Sequence, residues 1–389
     1  MIAIENKELC CGCSACASIC PKHCISMQED GEGFLYPIVD ESQCVDCGEC
    51  ERVCHELHPY GERSPIKVLA AVNTDEDVRM RSSSGGVFYS LAERAISEGG
   101  VVFGARYDEH WQVVIDYAET LEGVKAFMGS KYVQARIETA YTDTKRFLQE
   151  GRKVLFSGTP CQIAGLHHFL KKGYDNLTTV DVICHGVPSP KVWRKYINEI
   201  CGTPAAIIGI NFRDKSYGWS NFSLKIQYFC GDQTISQCNR IHEDPFMKAF
   251  LQNMILRPSC HNCQSKNGRS HSDITIADFW GIENVFPDMN DEKGTSVVVI
   301  HTEKGRRCVE ELGIKTKETS SIILEQYNST YMQSVSRHPK RDTFFARIDK
   351  EKLTKVIDDC TKPTIKQRIK SLLRKIAMRI KNGGARGEK

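Results

Sequence analysis

The chain has 389 residues, 41% hydrophobic and 26% charged, with a formal net charge of +3. These values fit a globular protein of two or three domains. No apolar run reaches the roughly 18 residues of a membrane span, and the start MIAIENKELCC lacks the basic and apolar segments of an export signal. Ten Lys/Arg and one glutamate fall in residues 362–389, a net of +9, which leaves −6 on residues 1–361. An acidic body of this kind excludes an enzyme that grips nucleic acid over its folded surface.

Nineteen cysteines without an export signal argue for a reducing cytoplasm in which thiolates hold metal. Eight of them form two runs of spacing C-x2-C-x2-C-x3-C: Cys10, Cys13, Cys16, Cys20 and Cys44, Cys47, Cys50, Cys54. This is the bacterial two-cluster ferredoxin pattern, in which the fourth cysteine of each run ligates the other cluster. One [4Fe–4S] cluster is therefore expected on Cys10, Cys13, Cys16 and Cys54, and a second on Cys44, Cys47, Cys50 and Cys20. Gly12 and Gly48 let the backbone curl around the clusters and aim amides at sulfur. Pro21 follows the first run, and His55 stands where the second would have proline. Paired zinc sites would want more open spacings, and a disulfide knot would want an oxidising compartment.

The linker YGERSP (60–65) precedes a strand expected over Ile66–Val72. RSSSGG (81–86) leads into a helix over Val87–Ser97, followed by strands Val101–Ala105 and Val113–Tyr117. After the polar loop GSKYVQ (129–134) come a helix over Ile137–Leu148, a strand Val154–Ser157, a helix Pro160–Lys171 and a strand Thr178–Cys184. A helix between two apolar strands implies a parallel pair with a right-handed crossover. A helix over Lys191–Cys201 follows, then strands Ile207–Phe212, Phe222–Phe229 and Thr234–Gln237, a helix over Asp244–Ile255, and strands Asp273–Phe279 and Ser296–His301. In the tail, Ile365, Ile369, Leu372, Leu373, Ile376 and Ile380 share one helical face and Lys/Arg the other. Such a basic amphipathic helix suits contact with an anionic membrane or a partner, or packing on the body.

Four further cysteines keep unusual company. Cys161 follows Thr159 and Pro160, an N-cap and a first helical position, so it sits where unpaired amides favour a thiolate. Cys184, in CHGVPSP, is expected at the end of the next parallel strand, at the sheet edge where open α/β sheets bind ligands. Cys260 and Cys263 form a C-x2-C pair in a polar loop. Together these four could close a third [4Fe–4S] cluster; a zinc site or a redox-active thiol pair are the alternatives. Cys11, Cys24, Cys201, Cys230, Cys238, Cys308 and Cys360 are expected to be structural or surface cysteines. SSSGG at a helix start could bind a phosphate, or could be an ordinary N-cap. No G-x-G-x-x-G follows a strand, so a nicotinamide site is not indicated.

The segments RSSSGGVF, GSKYVQ, FSGTPCQIAGL, CHGVPSP and CHNC…SDITIADFWG resemble, in order, the coenzyme F420 hydrogenase/dehydrogenase beta-subunit family, over roughly residues 66–290. The resemblance implies an FAD-binding α/β domain with its own [4Fe–4S] cluster on Cys161, Cys184, Cys260 and Cys263. Ser84, Gly85, Gly86, Ser130, Lys131 and Tyr132 match segments expected at the flavin, and Thr159, Gln162 and His185 flank the cluster cysteines. Asp278 lies in ADFWG, where Ala277 departs from the family's usual glycine.

The expected architecture is an α+β ferredoxin-like dicluster domain (1–60) followed by an α/β domain with a partly parallel sheet. That domain's N-terminal part spans 66–200 and its C-terminal part 201–350, and a basic C-terminal helix occupies 362–389. The expected function is oxidoreduction: electrons from a low-potential donor, such as ferredoxin or a hydrogenase or dehydrogenase subunit, reach FAD through [4Fe–4S] clusters. They then pass to a small organic acceptor, deazaflavin F420 or another. The alternative is an electron-transfer subunit with no substrate site, serving a partner enzyme. The expected location is the cytoplasm, with peripheral contact at the inner membrane face through the tail.

Overall fold

The computed structural model describes residues 1–362. The basic helix expected over 362–389 lies outside the described residues from 363 onward. Among the described residues no helix is long and apolar enough to cross a membrane.

The N-terminal lobe folds around its cysteines. Its hairpin pairs β1 (Ile25–Glu29) with β2 (Leu35–Val39), and each cysteine run contributes one short helix, Ala15–Ile19 and Glu49–Arg52. Beyond the linker the chain lays down β3 (Lys67–Val72), β4 (Val101–Tyr107), β5 (Val113–Ala118), β6 (Val154–Gly158) and β7 (Leu177–Val182). Three strands, β8 (Ile207–Asp214), β9 (Ser223–Cys230) and β10 (Gln233–Arg240), then form a separate antiparallel sheet. The chain returns with β11 (Ile274–Asp278), β12 (Ser296–Ile300) and β13 (Lys315–Thr319), which join β3–β7 in one mixed sheet of eight strands.

The large sheet runs β13-β3-β12-β11-β7-β6-β4-β5. Its centre, β4, β6, β7 and β11, is parallel, and the flanking pairs are antiparallel. The composition follows from burial on both faces: β12 reads SVVVI and every residue of it is buried. The expected β6–helix–β7 unit is present, with Val154 opposite Leu177 in parallel register. Its helix, Pro160–Leu170, starts at proline, with the Thr159 amide donating to Gln162 Oε1 at 2.9 Å. The sheet draws strands from both sides of residue 200, and β8–β10 form an excursion between β7 and β11.

The excursion has its own core. Trp193 and Tyr196 of the helix Pro190–Cys201 pack with Phe212, Phe246 and Phe344. The helix expected over 244–255 is shorter, Pro245–Leu251: Asp244 caps it by accepting from Met247 N at 3.0 Å, and Asn253 turns left-handed at φ 61°.

Buried arginines fasten lobe to body. Arg341 is 1% exposed; both its outer nitrogens bond Glu32 of the lobe, and it donates to the Leu256 carbonyl at 3.1 and 2.9 Å. Ser189 and Lys191 also donate to lobe carbonyls, at Glu32 and Gly31. Removing one partner of such a pair strands the other's charge, so Arg341→Met is expected to cost about 3 kcal/mol of stability. Urea unfolding followed by circular dichroism measures it; an unchanged midpoint would show that the pair does not hold the lobe.

Candidate metal centres and cofactor cavity

The lobe brings its eight cysteines together as two crossed sets. Cys20, from the first run, lines one small open cavity with Cys44, Cys47 and Cys50 of the second. This cavity faces outward: Cys47 is exposed and Val45 beside it is 57% exposed. Amides point at its sulfurs, from Asp46 to Cys44 Sγ at 3.4 Å and from Lys22, His23 and Cys24 to Cys20. In the other set, burial raises the Cys16 thiol, and nearby Cys13, Cys10 and Cys54 push it further. Gly12, Ala15 and Ala17 aim their N–H groups at Cys10, Cys13 and Cys16. Four convergent thiols ringed by amide donors are the donor set of an Fe–S cluster, since such N–H···S bonds help set its potential. The residues fit the group in both sets.

Arg257, which sequence reasoning misses, seals the inner set. It is fully buried, and donates to the carbonyls of Cys10 and Leu35 at 2.8 Å each and to Gln134 Oε1 at 3.1 Å. Its guanidinium lies 4.3 Å from the Tyr36 ring centroid, and Nη2 approaches Cys10 Sγ to 3.6 Å.

The four scattered cysteines also converge. Burial raises Cys260, followed by the proximity of Cys184, Cys263 and Cys161; Cys263 is raised by burial and then by Cys161 and Cys184. Cys184 does not end its strand: β7 stops at Val182, and Cys184 lies two residues on, in the loop to the next helix. That loop must pass close to the C-x2-C turn. Gly186, at φ 147°, comes so near that a Cβ there would meet Leu256 Cδ1 at 2.8 Å and Cys260 Cβ at 3.3 Å. Amide donors recur, with Val187 N–H to Cys260 Sγ at 3.4 Å and others from Gly186 to Cys184 and Ser265 to Cys263. Lys266, buried and equally unmarked in the sequence, donates to the carbonyls of Cys184 at 2.5 Å and Thr330 at 2.6 Å. The donor set and its amides match those of the lobe.

A cavity of about 560 Å³ adjoins this third set, and Cys184 lines it. Ser84, Gly86, Ser130, Lys131, Tyr132, Thr159, Gln162 and His185 all line it too. Gly85 does not: it packs behind the lining, its amide bonded to Ser296 Oγ at 2.9 Å. Ser130 N donates to Ser83 Oγ at 2.6 Å, joining the two polar loops. Lys131 turns its ammonium onto the carbonyls of Ala126, Met128 and Gly129 at 2.9–3.1 Å, so it braces its own loop. Tyr132 stacks on Phe250 at 4.9 Å, and His185 Nε2 lies 2.6 Å from Asn253 Oδ1.

Arg213 forms a wall that sequence reasoning does not find. Its fork meets both oxygens of Asp278 at 2.6 and 2.8 Å, and it donates to Tyr132 Oη at 3.2 Å. The guanidinium lies 3.9 Å over Phe222, and Trp219 Nε1 donates to Asp278 at 2.8 Å. Asp278 stands out within ADFWG, but nothing in the strand INFRD marks its arginine. Arg213 Nε and Asn328 Oδ1 are buried without partners, and both residues line the cavity. An unpaired donor, an unpaired acceptor and aromatic walls fit a planar heteroaromatic ring.

Lobe and body meet on one helix. Cys161 and Gly165 are one turn apart on Pro160–Leu170, and a Cβ at Gly165 would come within 2.9 Å of Cys13 Sγ and of Tyr141 Oη. Cys11 is not a bystander: it is buried, 3.0 Å from His55 Nε2, with the ligand atoms of Cys11, Cys13 and His55 all within 4.8 Å of one another. On β7, Asp181 is buried among the hydroxyls of Ser270, Thr275 and Ser272, and Thr275 Oγ1 lies 2.9 Å from His301 Nε2.

The fold and the cysteine sets define an iron–sulfur protein with an α/β body. Residues 9–56 match the 4Fe-4S dicluster domain, and residues 151–323 match the C terminus of the coenzyme F420 hydrogenase/dehydrogenase beta subunit. The chain thus carries a C-terminal domain of the coenzyme F420 hydrogenase/dehydrogenase beta subunit behind an N-terminal 4Fe-4S dicluster domain. A solved chain from the F420-reducing [NiFe] hydrogenase complex of Methanosarcina barkeri is similar at 17% identity and a TM-score of 0.45, covering 81% of this chain and 93% of that one. No curated protein matches.

Two outcomes follow from this geometry. Gly165→Ala is expected to displace Cys13, seen as a changed electron paramagnetic resonance signal and less iron bound per chain; a wild-type spectrum would show the approach to be slack. Asp181 is raised to about 6 by burial, against the hydroxyl donors, so the folded chain holds a proton there that the unfolded chain releases near 4. Its contribution to stability is full below about pH 4 and lost as pH rises through about 6. Asp181→Asn should therefore gain on the wild type with rising pH, by up to about 3 kcal/mol at pH 8; a pH-independent difference in urea midpoints would refute this.

Proposed function

We propose that the chain is an iron–sulfur flavoprotein oxidoreductase that takes electrons from a low-potential donor and passes them, through FAD, to a small organic acceptor such as deazaflavin F420. One observation carries this reading: Cys184 belongs to the third cysteine set and also lines the cavity shared by Ser84, Ser130 and Tyr132. Metal site and organic site are thus one continuous structure.

When bound, [4Fe–4S] clusters supply single-electron transfer and FAD collects two electrons for a hydride-level transfer. The rest falls to the chain. Cys10, Cys13, Cys16 and Cys54 would hold one cluster, Cys20, Cys44, Cys47 and Cys50 the second, and Cys161, Cys184, Cys260 and Cys263 the third. The Ser83 and Ser130 pair offers a hydroxyl, and the helix start its amides, to phosphate, while the Ser84 hydroxyl donates to the Thr295 carbonyl. Tyr132, Phe250 and Phe222 exclude water from the ring, and Arg213, kept charged by Asp278, faces the cavity with a fixed positive charge. Residues 66–200 and 201–350 would act as one flavin module, and thiolate-held iron would suit a reducing cytoplasm.

Anaerobic purification with iron and flavin analysis tests the scheme. The expectation is about twelve irons and one FAD per chain, falling to about eight irons in Cys263→Ala and unchanged in Cys308→Ala. Eight irons in the wild type would remove the third cluster. Iron without flavin would leave a pure electron-transfer subunit serving a partner enzyme.

A further inference from the structure

One of the seven cysteines outside the ligand sets lies between two of those sets. Cys11 follows the ligand Cys10, yet its thiol is 7% exposed and turned inward. Its neighbours are Cys13, of the inner lobe set, with the two sulfurs within 4.8 Å, and Cys161, of the third set, on the same helix as Gly165, where a Cβ would meet Cys13 Sγ. On its other side is His55 Nε2 at 3.0 Å, from a ring only 2% exposed. The Cys11 backbone is anchored from the body as well, since Gln134 Nε2 donates to its carbonyl at 2.9 Å. Cys13, Cys11 and Cys161 are thus neighbours at the boundary between lobe and body. The ligand atoms of Cys11, Cys13 and His55 lie within 4.8 Å of one another.

We propose that Cys11, held by His55, is the junction between the inner lobe centre and the body centre, a positioning residue that turns its one S–H toward a ligand sulfur and fills the gap electrons must cross. The inference rests on the function proposed above, because it takes both sulfur sets to hold clusters. A hydrogen bond to a ligand sulfur stabilises the more negative, reduced form and so raises the potential. A packed sulfur also replaces empty space along the path. No bond is made or broken at Cys11: one centre is oxidised by one electron, the other is reduced by one, and the thiol keeps its proton. His55 occupies the place of the ferredoxin proline because the junction needs a side chain that can hydrogen-bond sulfur.

The test compares the full-length holoprotein with Cys11→Ala and Cys11→Ser. Iron and flavin content, potentials from titrations monitored by paramagnetic resonance, and the rate of flavin reduction after rapid mixing with dithionite are measured for each. Cys11→Ala is expected to keep about twelve irons, to shift the potential of at least one of the two adjoining centres downward, and to slow flavin reduction at least tenfold. Cys11→Ser, which keeps a donor, should recover most of the potential. Wild-type potentials and rates in Cys11→Ala would overturn the proposal alone. So would the loss of about four irons in that variant, because Cys11 would then be a ligand. Eight irons in the unsubstituted chain would overturn both this proposal and the reading beneath it.

Discussion

The architecture depends on one buried cation. Arg257 leaves water entirely, and is tolerated because its fork meets two lobe carbonyls and a glutamine while its face rests on Tyr36. Its backbone amide donates to Val187 in the loop after Cys184, and the C-x2-C turn begins three residues on, at Cys260. The segment that grips the lobe is therefore the segment that shapes the third cysteine set. With iron bound, thiolate charge at Cys10 beside the guanidinium would offset its desolvation, and each would stabilise the other in place.

The same logic recurs at Lys266 and Arg213. Each buried cation sits where negative charge is expected, beside sulfur in the first case and against Asp278 in the second. Buried cations of this kind carry most of the polar organisation of the site, and the acidic surface of the chain has little part in it.

What the sequence discloses is local. Two cysteine runs with strict spacing, a Pro-initiated helix between apolar strands and the fully buried β12 can be read because each pattern reports its own surroundings. Arg213, Arg257 and Lys266 cannot, since their partners lie 65, 247 and 82 residues away, and a lone basic residue carries no period. β13 escapes for a related reason: KTKET is polar throughout, as an edge strand tolerates, and has no alternation to detect. Cys11 and Cys24 read as spare thiols because spacing alone cannot tell a ligand's neighbour from a ligand. Cys24 lies 3.4 Å from Cys20 Sγ and lines the outer lobe cavity.

The fastening of lobe to body has a kinetic consequence. A free ferredoxin meets its enzyme by diffusion, so its hand-off depends on concentration and ionic strength. Here the lobe is tied down by Arg257, Arg341, Ser189 and Lys191, and an electron that has reached it would cross to the body in a first-order event. Dilution and salt would leave that crossing untouched and act only on delivery to the exposed Cys47 face. Throughput would then saturate with donor at a ceiling set inside the chain, and a tenfold dilution of the protein would leave that ceiling where it was.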